Sequence, residues 1–303
     1  MFGSRREAVP ESISFLPPED WRVLTKLVDP IVRKLGGTRD GTTVQTEDGQ
    51  VALENLARAC HSMPRAKWSR EVQNFLRGFV PDGSVDPLAV IQADPVAAQE
   101  LLRVRPYPVE TFEGLEYHPV SAPLAGGLHD ILCLDFPDRV AMLNQEMAAA
   151  FSIDAETLLA RGLANVRAEP APAEIDRIEV EPGVAIEIFA DESFYAVTWA
   201  RWIDALIPGL GPEGALVVMP TRHQIAVHPL RTARGASAAP GPLLQVAKVT
   251  IADGAGPVSP ELFWWHAVQL VHLPGRITET GAELSPPEEY LAMLERLEDD
   301  AAD

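Results

Sequence analysis

Trp21, Leu24, Val28, Ile31 and Leu35 recur at three- and four-residue intervals, whereas Val184, Ile186 and Ile188 alternate with Ala185 and Glu187. The first pattern makes one face of a helix apolar and the second makes one face of a strand apolar. A chain that changes period in this way must bury helical stripes and sheet faces in the same molecule. Helical patterns dominate up to about residue 110, and strands and helices are mixed from residue 111 onward. The expected fold class is therefore α+β, an amino-terminal helical part followed by a mixed, sheet-containing part with helices.

Local signals place the elements. The first helix is predicted over residues 20–35; Gly36-Gly37 stops it, and Pro30 kinks it or starts a second segment. Turns at Asp40-Gly41 and Asp48-Gly49 flank TTVQT, which reads as a hairpin strand. VALENLARACHSM is helical with Val51, Leu53, Leu56, Ala57 and Cys60 on one side, and Trp68, Val72, Phe75 and Leu76 mark the next helix. PDGSVDP is a loop, residues 86–104 read as helix, and Pro106-Tyr107-Pro108 changes the character of the chain. DILCLDF suits a strand covered on both faces. PDRVAMLNQEMAAAF follows as a helix entered at Pro137, and DAETLLARGLANV as another with Asp154 and Glu156 where a helix dipole favours acids. PAPAE is read as a linker, GVAIEIFA as a strand, and DESFYAVTWARWIDALIP as a helix. ALVVMP and HQIAVHPL are strands joined at Pro220-Thr221-Arg222. RGASAAPGP is read as a loop and LLQVAKVTIAD as a strand. Two more helices are expected after Ser259-Pro260-Glu261 and Ser285-Pro286-Pro287-Glu288, the second with a capping box. The last eight residues are expected to fray.

The length of 303 residues favours two domains, and charge divides the chain at the same place as the pattern. Residues 1–110 hold 14 Lys+Arg against 15 Asp+Glu; residues 111–303 hold 11 against 29, a net of −18. The acidic part repels phosphate backbones, and the basic residues Arg65, Lys67, Arg70 and Arg77 form no stripe with aromatic interleaving, so nucleic acid is not the expected ligand. Such acidity favours solubility and steers a basic protein partner. Cys60 and Cys133 sit among apolar neighbours and make no disulfide framework. The opening MFGSRRE carries no apolar signal region, and no apolar run reaches the ~20 residues that cross a bilayer. The expectation is a cytoplasmic protein without a membrane anchor. Arginine outnumbers lysine 21 to 4, the composition of a GC-rich bacterial genome.

Four segments in order resemble a bacterial family of unknown function, the YtpQ-like proteins: SIDAETLLARGLANVR, IEIFADESFYAVTWARWID, EGALVVMPTRHQIAVHPL and SPELFWWH. The resemblance covers roughly residues 110–270. This chain departs from the family pattern at Val166, where leucine is usual after the asparagine, and at Trp264-Trp265, where a tyrosine is more usual. The resemblance implies a shared α+β fold and no activity.

The chemical motifs are mostly missing. There is no G-x-G-x-x-G, no G-x-x-x-x-G-K-[ST], no C-x-x-C, no H-E-x-x-H and no G-x-S-x-G. His223 and His228 fall on opposite faces of a strand, and His129 and Cys133 stand ~13 Å apart at strand rise, too far for one metal. Cys60 and His61 diverge on a helix, and Ser193 and Ser259 stand where a hydroxyl caps a helix. No cofactor and no metal is expected. The remaining catalytic candidates are Asp135 and Asp138 after one strand and Asp191 after another, which Arg222 and His223 from a later turn could join. The competing role for Asp135 and Asp191 is to cap the helices that follow them. Tyr195, Trp199, Trp264 and Trp265 are candidate contact residues, at helical spacing or adjacent, where core packing competes with recognition; of two adjacent tryptophans, one is expected to stay partly exposed. Two functions remain. The preferred one is a non-catalytic interaction or regulatory protein with an acidic carboxy-terminal surface. The alternative is a hydrolase or divalent-metal-dependent enzyme using acids at strand ends.

Overall fold

Pro18 in the first turn, Glu19 and Asp20 beside it, and Arg33 and Lys34 in the last turn complement the dipole of helix α1 (Pro18–Lys34) at both ends. Pro30 lies inside α1 without ending it. This is one element of a computed structural model that describes residues 8–46, 49–77, 86–113, 118–137, 139–279 and 281–299. Asp48, Asp138, most of the PDGSVDP loop and the last four residues lie outside the described residues.

The chain divides into two compact units. Residues 1–86 form the first, grouped with 137–139 and 253–255; the rest forms the second. In the first unit, β1 (Thr38–Asp40), β2 (Thr43–Thr46) and β3 (Gly49–Ala52) make an antiparallel sheet, so TTVQT pairs on both sides. Val44 and Val51 lie opposite each other and enter one core with Trp21, Leu24 and Val28 of α1. Helices α2 (Glu54–His61) and α3 (Trp68–Arg77) complete that core through Leu56, Cys60, Trp68 and Val72.

In the second unit, α4 (Pro87–Ala93) and α5 (Pro95–Ala98) are separated by Asp94, whose carboxylate accepts from Val96 and Ala97 N–H. Strands β4 (Leu102–Pro108), β5 (Ser121–Ala125), β6 (Leu128–Phe136) and β7 (Arg139–Met142) make a four-stranded sheet in the order β4-β6-β5, with β7 also on β6. Helices α6 (Gln145–Ala150) and α7 (Ala155–Ala168) lay Ala148 and Leu158 into a core with Leu102, Val104, Leu132 and Leu134. Asp154, read as an acid favoured by the dipole, is the N-cap of α7: its side chain accepts from Thr157 N–H. Strands β8 (Ala173–Glu181) and β9 (Val184–Ala190) precede a 3-10 helix at Ala196–Arg201 and the short α8 (Ile203–Leu206). Then come β10 (Ala215–Thr221), β11 (Gln224–Pro229), α9 (Ala233–Ala238), α10 (Pro240–Asp253), β12 (Leu262–His266) and β13 (Gln269–Leu273). The hairpin β14 (Gly275–Thr278) and β15 (Gly281–Leu284) leads to α11 (Glu288–Asp299).

Six of these strands form an antiparallel sheet, β13-β12-β10-β11-β9-β8, whose central strands are covered on both faces. Ile186, Leu216 and Ala226 face Leu243, Ala247 and Tyr290 of α10 and α11. Phe189, Val217 and Ile225 face Val197, Trp199 and Ile203 of the 3-10 and α8 segment. The fold is α+β.

Several elements differ from the sequence reading. The unit boundary falls at residue 86, not 110, because β4 pairs along its whole length with β6, from Leu102↔Leu134 to Pro108↔Leu128. PDRVAM is strand β7, and helix resumes only at Asn144, whose side chain accepts from Met147 N–H. PAPAE runs into β8. DESFYAVTWARWIDALIP forms only a 3-10 turn at Ala196–Arg201 and the four-residue α8, packed against the sheet. LLQVAKVTIAD is helix α10: Leu243, Leu244 and Ala247 are buried at helical spacing. After Ser259, whose Oγ accepts from Glu261 N–H, the chain enters β12, so no helix starts there.

Candidate functional site

Strands β9 and β11 run out together, and their ends gather Asp191, Arg222 and His223. Ala190 pairs with Gln224, and Asp191 N–H donates to the His223 carbonyl at 3.1 Å. Asp191 Oδ1 accepts from Ser193 N–H at 2.7 Å, and Ser193 Oγ accepts from Tyr195 N–H at 3.1 Å. The carboxylate therefore closes a turn and does not cap a helix. This turn presents the Ser193 carbonyl 3.1 Å from His223 Nδ1. A carbonyl only accepts, so Nδ1 carries the proton, and Nε2 receives the Arg222 Nε–H at 2.9 Å. The Arg222 guanidinium also lies 4.4 Å from the Phe194 ring centroid. Burial first, and the Arg222 charge second, hold His223 below the ordinary imidazole value against the opposing pull of the Ser193 and Asp191 backbone. The imidazole is neutral with both nitrogens engaged, and taking up a proton would break its bond to Arg222.

Asp135 belongs to a neighbouring group. It lies on β6 two residues after Cys133, and both influence the hydroxyl of Tyr195. Burial, with Arg105 opposing and Asp135 assisting, pushes the Cys133 thiol up to about 11. A thiol held protonated is a poor nucleophile. Burial likewise raises the Tyr195 hydroxyl above its usual range, with smaller contributions from Cys133 and Asp135. The Arg105 charge reaches Cys133, Tyr195 and, more weakly, His223. Arg105, 5% exposed on β4, is a buried charge that sequence reasoning missed; in LRVRP it looks like the polar half of an alternating strand. Among the described residues, no three His, Cys, Asp or Glu side chains converge as a cation site.

The aromatic candidates are core residues. Tyr195 is 3% exposed, Trp199 4%, Trp264 2% and Trp265 6%. Neighbours on a strand point to opposite faces, and β12 is covered on both, so Trp264 and Trp265 are buried together in different cores. Their indole N–H groups donate to Glu213 and Arg201 carbonyls at 2.8 and 3.0 Å. The expected exposed tryptophan is not there. Trp264 does form part of the wall of a groove of about 400 Å3, beside His266, Val271 and Arg296.

The exposed feature lies at the other edge of the sheet. All seven residues from Ala173 to Glu179 on β8 are exposed, with Ile175 at 60% and Ile178 at 37%. Glu174, Asp176 and Glu179 stand among them, while Arg177 pairs with Glu187 and Glu181 with Arg234. Irregularities in the β8–β9 register at Ile175 and Val180 bracket a regular span at residues 176–179. Two prolines, Pro170 and Pro172, hid this strand from sequence reading by resembling a linker. No family model, no curated protein and no solved structure matches the chain.

Proposed function

We propose that the chain is a non-catalytic interaction protein that takes an extended basic segment of a partner protein along β8. The observation that carries this reading is a nine-residue edge strand with seven consecutive exposed residues, two of them isoleucines and three of them acids. An edge strand offers unpaired backbone donors and acceptors on its outer side, which an added strand satisfies. The partner's apolar side chains cover Ile178 on one face and its cations meet Glu179 on the other, with Glu174, Ile175 and Asp176 beside them along the strand. The surplus of acids over residues 111–303 attracts such a segment from a distance.

The expected strength is modest. Each isoleucine contributes at most about 2 kcal/mol when covered, and each exposed ion pair at most about 1 kcal/mol. Together they give at most about 7 kcal/mol, and against the cost of association this leaves weak binding, on the order of millimolar, to which the added backbone hydrogen bonds contribute. The alternative, a hydrolase or divalent-metal enzyme built on Asp135, Asp191, Arg222 and His223, has less support, since His223 spends both ring nitrogens inside the fold. The resemblance to the YtpQ-like proteins adds no activity to either reading.

The test is fluorescence anisotropy with a labelled peptide of alternating lysine and valine. Saturable binding at low salt is expected, weaker by roughly tenfold at about 0.5 M salt and lost in the triple variant Glu174→Lys, Asp176→Lys, Glu179→Lys. Equal binding by that variant, or no binding by the native chain, removes the proposal; the acids on β8 would then serve only to keep the edge from pairing with other chains.

A further inference from the structure

Trp264 stands opposite Val271 across β12 and β13, and His266 stands opposite Gln269 one step nearer the turn. Residues two apart on a strand share a face, so these four side chains make one wall of the groove of about 400 Å3. Glu289, Ala292 and Arg296 make the other wall, and their spacing of three and four residues puts them on one face of α11. The two walls are tied together. The Trp264 indole N–H donates to the Glu213 carbonyl at 2.8 Å, and the Glu213 carboxylate accepts from Arg296 Nε at 3.2 Å and Nη2 at 2.7 Å. Tyr290 of α11 meets the Trp264 ring edge-on at 5.3 Å between centroids, and His266 stacks on Trp264 at 4.5 Å. The groove is therefore preformed, which spares a ligand the cost of ordering it. Its volume lies within the span of about 300–1,000 Å3 usual for small-molecule sites.

Charge selects what the groove can hold. The Arg296 cation is balanced by Glu213. Glu289 is exposed and has no ion-pair partner among the described residues. One uncompensated carboxylate thus stands across from an apolar and aromatic wall, in a part of the chain where acids outnumber bases 29 to 11. A cation is attracted there and an anion repelled. A bare metal ion does not fit, because it needs several oxygen ligands and would leave the apolar wall in water. An ammonium carried on an apolar body uses both features.

We infer that the groove between α11 and the β12–β13 hairpin binds a small organic amine. Its apolar body covers Val271 and the His266 ring, and its ammonium meets Glu289. This inference is independent of β8.

Calorimetric titration of the full chain at pH 8 tests it, with phenethylamine as the probe. Phenylethanol and phenylacetate serve as its neutral and anionic counterparts at matched ionic strength. Saturable binding of phenethylamine is expected. Binding of phenylethanol should be about fivefold weaker, the worth of one exposed ion pair, and that of phenylacetate weaker still. Glu289→Gln should bring phenethylamine down to the level of phenylethanol. Ala292→Trp, at an exposed position on the α11 wall, should fill the groove and abolish binding. The triple variant Glu174→Lys, Asp176→Lys, Glu179→Lys should still bind, which separates this site from β8. No saturable binding of phenethylamine by the native chain overturns the inference, as does equal affinity for the three compounds. Unchanged binding by Glu289→Gln or by Ala292→Trp also overturns it, and loss of binding in the triple variant would place the amine on the acidic surface at large.

Discussion

At Gly162, two effects of one methyl group compete. Within helix α7 an alanine is worth about 1 kcal/mol over glycine by propensity alone. A Cβ at this position would stand 2.9 Å from Val104 Cγ2, 3.0 Å from Leu132 Cδ1 and 3.2 Å from the Arg103 carbonyl carbon, where α7 lies on β4. Overpacking of this kind costs about 1–3 kcal/mol. Gly162→Ala should therefore lower stability by about 1 kcal/mol in urea unfolding, opposite in sign to the propensity; a stabilised variant would mean α7 can move away from β4. Histidines supply a second prediction. Burial depresses both His223 and His228 in the fold, so below their unfolded value of about 6.5 the unfolded chain binds more protons. Stability should be flat above that pH and fall as pH drops from about 7 toward 5, and His223→Asn should shrink the fall in urea midpoint. The Asp154 cap, whose carboxylate is lowered by its bonds to Thr157, gives way only below about 3.8 and does not overlap this window. At this scale the sequence was partly informative. Asp154 reads as an acid that the dipole favours at a helix start, and the structure makes it the N-cap of α7. Arg105 does not read as a buried charge, because nothing local records that it is 5% exposed where β4 pairs with β6.

Among the elements, the β12–β13 hairpin turns through Ala267 at φ 48° and Val268 at φ 64°. A β-branched residue in the left-handed region is strained by about 1–2 kcal/mol, and hairpin turns of this shape favour Asn-Gly. Val268 is 67% exposed, so its side chain returns little packing. Val268→Gly should raise stability by about 1 kcal/mol in the same urea assay; a loss would show that the valine side chain makes a contact that outweighs the strain. That unfavourable turn is also why SPELFWWH reads as a helix start: an Ala-Val pair gives no turn signal. LLQVAKVTIAD misleads for a different reason. Its β-branched residues suit a strand, yet burial of Leu243, Leu244 and Ala247 against the six-stranded sheet overrides propensity, as tertiary packing commonly does. The strands GVAIEIFA, ALVVMP and HQIAVHPL are legible from their apolar character, although the turn falls at Arg222–His223 and not at Pro220-Thr221-Arg222, since Thr221 still pairs with Gln224.

For the whole molecule, the change in hydrophobic period is enough to fix an α+β class, and the Trp21-to-Leu35 stripe and the acidic second half mark two regions of different character. The boundary at residue 86 is not legible, since it depends on Arg103 meeting Cys133 across a separation of thirty residues. No helix among the described residues is long and apolar enough to cross a membrane. With a formal charge of −19, long-range attraction favours cationic partners, and that attraction weakens with salt. Where such a partner comes to rest is the central question, and amide hydrogen exchange of the full chain with and without the lysine–valine peptide addresses it most directly. The account predicts slowed exchange confined to β8, centred on residues 176–179, and lost at high salt. Slowing elsewhere with β8 unchanged would contradict it.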